Sequence, residues 1–316
     1  MGQKTDGFLL SVVVPMYFEQ DVARECYRRL STALAEYRYE LLFVNDGSTD
    51  GTLPILTELA AADPRVKIID FSRNFGHQVA VTAGVDHARG DAVVIIDADL
   101  QDPPELIPKM VELWQQGWEV VYAKRVKRKG ETAFKKFTAS TYYRTLRALT
   151  DIDIPADTGD FRLIDRKVAD AFRRMPERSR FIRGMVAWLG FRQYALEYER
   201  DERFAGETKY PLKKMLKLAA NGILSFSTQP LQLVLQVGFL AIVVSFVLLV
   251  YAIVSKAMGH TNGGWASLMV TVTFLGGVQL LSVGVLGQYL ARMFEESKNR
   301  PLYVIRDTVN FDRDPE

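Results

Sequence analysis

The sequence has 316 residues, of which 48% are hydrophobic, so it can bury a sizeable core in one large domain or in two. A formal net charge of +2 is too small to indicate nucleic acid as the main partner. The single cysteine, Cys26, excludes an internal disulfide framework and a thiolate zinc cluster, and is typical of a reducing compartment. The N-terminus lacks the features of a signal peptide, which predicts that the first domain stays in the cytoplasm.

The first part of the chain alternates between strand patterns and helix patterns. Short runs rich in β-branched and aromatic residues predict buried strands: LLSVVVPMY, YELLFVND, VKIIDF, DAVVIIDAD and EVVYA. Between them, VARECYRRLSTALAEY and PPELIPKMVELWQQG have apolar residues at helical spacing. The alternation predicts an open, mainly parallel α/β sheet, in which ligands bind at the carboxyl ends of the strands.

Acidic and amide side chains directly follow the predicted strand AVVII. Asp97 and Asp99 would face the same side of an extended chain, and the turn towards the following prolines would bring Gln101 round to join them. Oxygen ligands of this kind suit Mg2+ or Mn2+, with substrate phosphates completing the coordination. A helix cap or a solvated acidic turn is the alternative, and the position after a buried strand favours the metal site.

A second polar segment, NDGSTDGT, follows the strand ELLFV. Asp46 can accept hydrogen bonds from a base or a ribose, and the glycines allow a tight turn. Taken alone, the segment is better explained as an ordinary strand-to-helix loop with a Ser, Thr or Asp helix cap. His77 and His87 lack the companions of a zinc site, and no GxxxxGK[ST] phosphate loop occurs.

The composition changes at residues 231–291, where Lys256 is the only charged side chain. The stretches 233–255 and 267–290 are each long enough to cross a hydrocarbon layer, which needs about 20 helical residues. Glycines in the connection predict a hairpin, and basic flanks predict that both of its ends are cytoplasmic. Two buried helices of a soluble core are the alternative.

The segments TAFKKFTASTYYRTLRALT and YPLKKMLKLAANGILSF mix basic and apolar residues at roughly helical spacing, which predicts helices lying at a lipid surface. Ordinary surface helices are the alternative. The predicted organisation is a cytoplasmic catalytic domain (1–207), a juxtamembrane amphipathic segment (208–230), a transmembrane hairpin (231–291) and a cytoplasmic tail (292–316). Residues 301–305 of the tail are predicted to form an edge strand that pairs with a neighbouring copy.

Six segments occur in the order found in polyprenyl-phosphate glycosyltransferases: VVVPMYFEQ, VNDGSTDGT, SRNFGH, DADLQDPPE, DTGDFRLIDR and RFAGETKYP. The sequence resembles glycosyltransferase family 2, and more narrowly the bacterial undecaprenyl-phosphate glucosyltransferases, relatives of dolichol-phosphate mannose synthase. The resemblance covers nearly the whole chain and implies a GT-A nucleotide-sugar fold. One departure is Thr208, where many relatives have Ser, and it keeps the hydroxyl.

The resemblance also implies roles for individual residues. Those expected at the nucleoside are Pro15, Tyr17, Glu19, Asp46, Ser48, Asn74 and Asp97. Those expected at the metal are Asp97, Asp99 and Gln101. Those expected at the sugar and the reacting phosphates, grouped as catalytic, are Asp157, Asp160, Arg200, Arg203 and Lys209. Arg125 and Arg128 lie in a loop expected to cover the site, with a solvated face as the alternative for each.

The reaction implied is inverting transfer of a hexose, most simply glucose from UDP-glucose, to undecaprenyl or another polyprenyl phosphate with Mg2+ or Mn2+. Implied partners are the donor, the lipid acceptor, membrane lipids, a second copy of the chain, and a downstream flippase and glycosyltransferase. The implied location is the bacterial inner membrane. GDP-mannose, UDP-GlcNAc and an aminoarabinose derivative remain alternative donors, and a noncatalytic membrane scaffold is the alternative class. The single hairpin and the absence of a QxxRW-type motif argue against a processive polysaccharide synthase.

Overall fold

The computed structural model describes residues 7–125, 158–199, 229–259 and 264–311. These residues fall into two units, which are described separately. The first unit contains the described residues up to 199 together with 300–311, and the second contains two long helices. Both predicted lipid-surface segments, and the predicted boundary at 207/208, lie outside the described residues.

The first unit is built from alternating strands and helices. Its strands are β1 (Leu9–Met16), β2 (Arg38–Asn45), β3 (Val66–Phe71), β4 (Ala92–Ile95), β5 (Val120–Arg125), β6 (Thr158–Asp165), β7 (Gln193–Tyr198) and β8 (Ile305–Val309). Its helices are α1 (Ala23–Ala33), α2 (Thr52–Ala62), α3 (His77–His87), α4 (Ile107–Gln115), α5 (Arg166–Arg173) and α6 (Ile182–Trp188), with a short 3-10 helix at Pro104–Leu106. Each predicted strand and helix pattern of this unit is present.

All strands join one sheet in the order β7-β5-β6-β4-β1-β2-β3-β8. The central strands β4, β1, β2 and β3 pair in parallel, as do β5 and β7. In contrast, β6 is antiparallel to both β4 and β5. The carboxyl ends of β1, β2 and β4 therefore meet at one edge of the sheet, which confirms the predicted mainly parallel α/β class.

Buried apolar side chains fill both faces of the central strands, as expected for parallel strands covered by helices. On one face, Leu10, Val12 and Val14 join a cluster with residues of α1, α2 and α4. On the other face α3 packs directly on β1, where a Cβ added at Gly84 would lie 2.1 Å from Val13 Cγ1. This close packing holds α3 against the middle of β1.

The tail strand β8 lies at Ile305–Val309, whereas the sequence placed it at residues 301–305. It starts later because Tyr303 stacks on Phe71 and the Val304 carbonyl accepts from the Ser72 N–H, outside the strand ladder. It pairs with β3 of the same chain in antiparallel orientation and forms the end of the sheet, so the pairing with a second copy stays a prediction. The pairing covers the outer hydrogen-bonding edge of β3.

The second unit consists of α7 (Gln229–Ala257) and α8 (Trp265–Ser297), which contact each other. Leu231–Ala257 and Val270–Ser297 are long and apolar enough to be candidate membrane spans. Of the described side chains, none in the most apolar window of either helix is buried. The helices therefore do not have the covered surface that the soluble-core alternative requires.

Candidate active site

The acidic turn predicted as a metal site follows β4 directly. Asp99 Oδ1 accepts from the Gln101 backbone N–H at 3.2 Å, so the chain does turn back after the second carboxylate. Asp97 Oδ1 is buried and accepts no hydrogen bond from the described residues, while His77 Nε2 lies 3.6 Å away. A buried carboxylate oxygen with no hydrogen-bond donor is suited to a cation.

The electrostatics around Asp97 also favour a cation. Desolvation raises the pKa of Asp97 to about 6; His77 opposes the rise, and Asp160 adds to it. Among the described residues, no three His, Cys, Asp or Glu side chains form a metal site by themselves. A cation at Asp97 and Asp99 would therefore need further oxygen ligands from the Gln101 amide, water or a bound diphosphate.

Asp160, on β6, joins three elements beside Asp97. Its Oδ1 accepts from Arg183 Nε at 2.8 Å, and its Oδ2 accepts from Gln78 Nε2 at 3.0 Å and lies 3.1 Å from His77 Nε2. Desolvation opposes ionisation of this buried carboxyl, but Arg183 and His77 hold its pKa well below the usual range. Asp160 is thus an ionised carboxylate whose two oxygens both accept hydrogen bonds. It holds β6, α3 and α6 together and does not act as a proton acceptor.

His77 belongs to this cluster, although the sequence interpretation gave it no role. Desolvation lowers the pKa of His77, but the hydrogen bond with Asp160 and the charge of Asp97 outweigh it and raise the pKa to about 9. An imidazolium therefore lies between two carboxylates at neutral pH. His77 could have been predicted as a site residue from its position. It starts α3, which follows β3 at the edge of the sheet where the acidic turn lies.

Two predicted nucleoside residues, Asp46 and Asn74, contact each other. The buried Asp46 carboxylate accepts from Asn74 Nδ2 at 2.9 Å, from the Phe75 N–H at 2.6 Å and from the Gly76 N–H at 3.0 Å. Burial raises the pKa of Asp46, and the two backbone N–H groups oppose that rise. In this structure Asp46 fixes the shape of the loop that carries Asn74.

The segment after β1 lies beside the segment after β2. Pro15 is buried within β1, whereas Tyr17 is exposed just beyond its end. Ser48 Oγ accepts from the Phe18 N–H at 3.2 Å, and the Glu19 N–H donates to Thr52 Oγ1 at 3.0 Å. An exposed aromatic ring on a fixed backbone is suited to pack against a base.

The strand-to-helix loop that was the alternative for NDGSTDGT is also present. Asp50 Oδ1 accepts from the Thr52 N–H at 3.1 Å, where α2 begins. The N-cap of α2 is Gly51, which has no side-chain cap, so the predicted Ser, Thr or Asp cap is absent. The segment combines an ordinary strand-to-helix turn, closed by Asp50, with the Asp46 cluster.

Gly47 is expected to be intolerant of a side chain. It has a φ of +68°, and an added Cβ would lie 2.4 Å from the Arg73 carbonyl carbon and 2.6 Å from the Asn74 nitrogen. We predict that Gly47→Ala lowers stability by about 2 kcal/mol, seen as a fall of about 4–8 °C in Tm in detergent. Gly117→Ala is the matched control, because Gly117 also has a positive φ but no atom within 4 Å of the added Cβ. Equal losses in both variants would contradict the role of the contact.

Arg125 lies at the end of β5 and is largely buried, so the solvated-face alternative is wrong for it. Its Nε donates to the Tyr198 hydroxyl at 3.2 Å, and its guanidinium lies 3.5 Å from Asp102 Oδ2. The Tyr198 hydroxyl in turn donates to the fully buried Asp102 carboxylate. The sequence interpretation missed Asp102 and Tyr198, which tie β5 and β7 to the acidic turn.

The remaining predicted site residues lie outside the described part of the chain. They are Arg128, Asp157, Arg200, Arg203 and Lys209. Their positions relative to the acidic turn therefore stay predictions.

A mainly parallel sheet with an acidic turn after β4 and polar loops after β1, β2 and β3 defines a GT-A glycosyltransferase fold. Residues 11–173 match the family described as Glycosyl transferase family 2. The chain belongs to this family, which confirms the resemblance carried by its six segments.

Similar proteins extend the match over nearly the whole chain. YkcC, an uncharacterized glycosyltransferase of Bacillus subtilis (strain 168), is 54% identical, with 96% of this chain and 94% of YkcC covered. A prophage bactoprenol glucosyl transferase homolog of Escherichia coli (strain K12) is 41% identical over 94% of this chain and 98% of its own. The bactoprenol glucosyl transferase of Shigella phage SfV is also 41% identical, with the same coverage of 94% and 98%.

Proposed function

We propose that the protein transfers glucose from UDP-glucose to undecaprenyl phosphate, or another polyprenyl phosphate, with inversion at the anomeric carbon. The observation that carries the proposal is the 41% identity to proteins named bactoprenol glucosyl transferase, over 94% of this chain including the two apolar helices. Bactoprenol is a polyprenol, so the names of these relatives support a polyprenyl phosphate as the acceptor. The matched region also includes the apolar helices, which are suited to a lipid-linked acceptor.

A divalent cation, Mg2+ or Mn2+, is part of the proposal. Asp97, Asp99 and the Gln101 amide would hold it, and the open, buried Asp97 Oδ1 supports this assignment. When bound, such a cation stabilises negative charge developing on the departing nucleoside diphosphate. The carboxylates fit a hard cation, because their oxygens are the ligand type that Mg2+ and Mn2+ prefer.

The remaining chemistry is mainly positioning. A lipid monophosphate is already anionic near neutral pH, so its oxygen can attack without a strong general base, from the face opposite the leaving group. The enzyme must hold two anionic substrates together and stabilise the charge that develops on the departing nucleoside diphosphate. We assign Asp160 to orienting His77 and the acidic turn, and Asp157 to positioning the acceptor or the sugar.

Basic side chains complete the proposed phosphate environment. Arg200 or Arg203, together with Lys209, would bind anionic oxygens of the donor or the acceptor, and Arg128 would belong to the covering loop. Arg125, the last described residue before that loop, is held by its contacts with Asp102 and Tyr198. The nucleoside would contact Tyr17 and the loops held by Asp46 and Ser48, with Pro15, Glu19 and Asn74 shaping them.

The location proposed is the bacterial inner membrane, with α7 and α8 as a transmembrane hairpin. Basic residues on both flanks of the hairpin and the single lysine between the spans support cytoplasmic termini and a cytoplasmic catalytic domain. The glucosyl lipid would then form on the cytoplasmic side, and a flippase and a second glycosyltransferase would act after it.

The function is tested with full-length protein purified in detergent. We expect labelled UDP-glucose and undecaprenyl phosphate to give glucosyl lipid with Mg2+ or Mn2+, EDTA to abolish the product, and added cation to restore it. A β-linked product, determined by NMR, would support inversion. UDP-GlcNAc and GDP-mannose serve as competing donors. Absence of a lipid product with every donor would contradict the enzyme and favour the noncatalytic scaffold.

A further inference from the structure

Residues 301–311, here called the tail segment, follow the second long helix and belong to the first unit. The strand β8 within this segment covers the edge of β3, and side chains of the segment make further contacts beyond the strand ladder. Two of these side chains, Tyr303 and Arg306, lie near the β3–α3 connection, residues 72–76, which carries the predicted nucleoside residue Asn74.

Tyr303 joins the end of β3 to α3. Its ring stacks on Phe71, with centroids 5.2 Å apart and an interplanar angle of 17°. Its hydroxyl donates to Asp86 Oδ2 at 3.0 Å, near the end of α3. Phe71 in turn packs edge-on against Phe75 at 5.5 Å, so one aromatic stack connects the tail segment to the 72–76 connection.

Val304 and Arg306 hold Ser72, the first residue of that connection. The Ser72 N–H donates to the Val304 carbonyl at 3.0 Å, and the Ser72 carbonyl accepts from Arg306 Nη2 at 2.8 Å. Both backbone groups of Ser72 are therefore bonded to the tail segment. Arg306 Nη1 also lies 3.6 Å from Asp70 Oδ2 at the end of β3.

The same connection is held from its other end by the nucleoside loop. Asp46 accepts from Asn74 Nδ2 and from the Phe75 and Gly76 N–H groups. Asp70 accepts from Asn45 Nδ2 at 2.7 Å, next to Asp46 in sequence. The conformation of residues 72–76 thus depends on the tail segment at Ser72 and on Asp46 at its far end.

We propose that Tyr303 and Arg306 are positioning residues of the nucleotide-sugar site, which hold residues 72–76 in the conformation that binds the donor. This inference rests on the proposed donor binding. It gives the segment after the membrane hairpin a role at the donor site, in addition to its pairing with the edge of β3.

Asn310 offers a matched control within the same segment. Its Nδ2 donates to the Ala60 and Val66 carbonyls, each at 2.8 Å, at the opposite end of β3 from residues 72–76. Asn310→Ala therefore weakens attachment of the tail segment without removing a contact to the donor loop.

The test compares full-length wild type, Tyr303→Phe, Arg306→Gln and Asn310→Ala in detergent. We expect the first two variants to raise the KM for UDP-glucose by about five- to tenfold. Their kcat and their KM for undecaprenyl phosphate should stay within about twofold of wild type, because the acceptor and the reacting groups are not displaced. Asn310→Ala should lower Tm with the donor KM unchanged.

Amide hydrogen exchange of the ligand-free proteins gives a readout that does not depend on turnover. Residues 72–76 should exchange faster in Tyr303→Phe and Arg306→Gln than in wild type, and at the wild-type rate in Asn310→Ala. Unchanged exchange and unchanged donor KM in both variants would overturn the positioning role. A wild type that neither transfers glucose nor binds UDP would instead overturn the proposed function, whatever the exchange result. If Tyr303→Phe fails to fold, Arg306→Gln decides the outcome, because that side chain is 58% exposed.

Discussion

Asp99→Ala is expected to reduce glucosyl transfer by about a thousandfold, which is the scale of losing a group that stabilises transition-state charge. Asp99 lies in the turn that follows β4, where its Oδ1 accepts from the Gln101 N–H. The replacement should leave the fold intact, because Asp99 is a partly exposed residue of a turn and not part of the buried core. Transfer would be measured across a range of Mg2+ and Mn2+ concentrations, with Tm as the measure of folding.

Asp91→Ala is the matched control for this prediction. Asp91 lies next to the opposite end of β4, where its Oδ2 accepts from the Leu9 N–H at 2.8 Å. The Asp91→Ala variant should lose some stability and keep its glucosyl-transfer activity. If Asp99→Ala keeps full activity at every cation concentration, Asp99 does not belong to the metal site.

Asp160→Asn is expected to lower the free energy of unfolding by about 3 kcal/mol and to reduce transfer strongly. The carboxylate is buried, with Arg183 and His77 against it, so an amide of the same shape removes the negative charge that both cationic groups contact. Transfer should fall because His77 and the acidic turn lose their orientation. Stability would be measured by thermal unfolding, and kcat and KM by the glucosyl-lipid assay.

Glu58→Gln provides the comparison with an exposed ion pair. Glu58 pairs with Arg24, and both side chains are more than half exposed, so its loss should leave Tm and activity unchanged within error. Wild-type stability and kcat in Asp160→Asn would show that the Asp160 cluster does not organise the site.

The elements that the sequence predicted best are those whose signal is local. The strands β1 to β5 are apolar runs followed by polar residues, and their burial requires no knowledge of their partners. The candidate spans are long stretches with few charges, since residues 231–291 contain Lys256 as their only charged side chain, and such depletion is visible within a single window of sequence. The acidic turn was visible because Asp97 and Asp99 directly follow one of these runs.

The features that escaped prediction depend on partners distant in sequence. His77 and Asp160 are 83 positions apart, and Tyr198 and Asp102 are 96 apart, so neither contact has a local pattern. The strand β6 contains buried charged residues, which conceal it within an otherwise apolar pattern. The position of β8 along the chain was predicted too early, because the packing of Tyr303 on Phe71 decides where the ladder starts.

The position of β8 in the sheet has a consequence for biosynthesis. The ribosome completes β3 long before it makes β8, and both candidate spans must be synthesised between the two strands. Until then the outer edge of β3 has no strand partner, and an open edge can pair with another chain. A nascent chain stalled before the second span, or a fragment cut before the hairpin, would expose this edge. Completion of the sheet thus waits for synthesis of the hairpin.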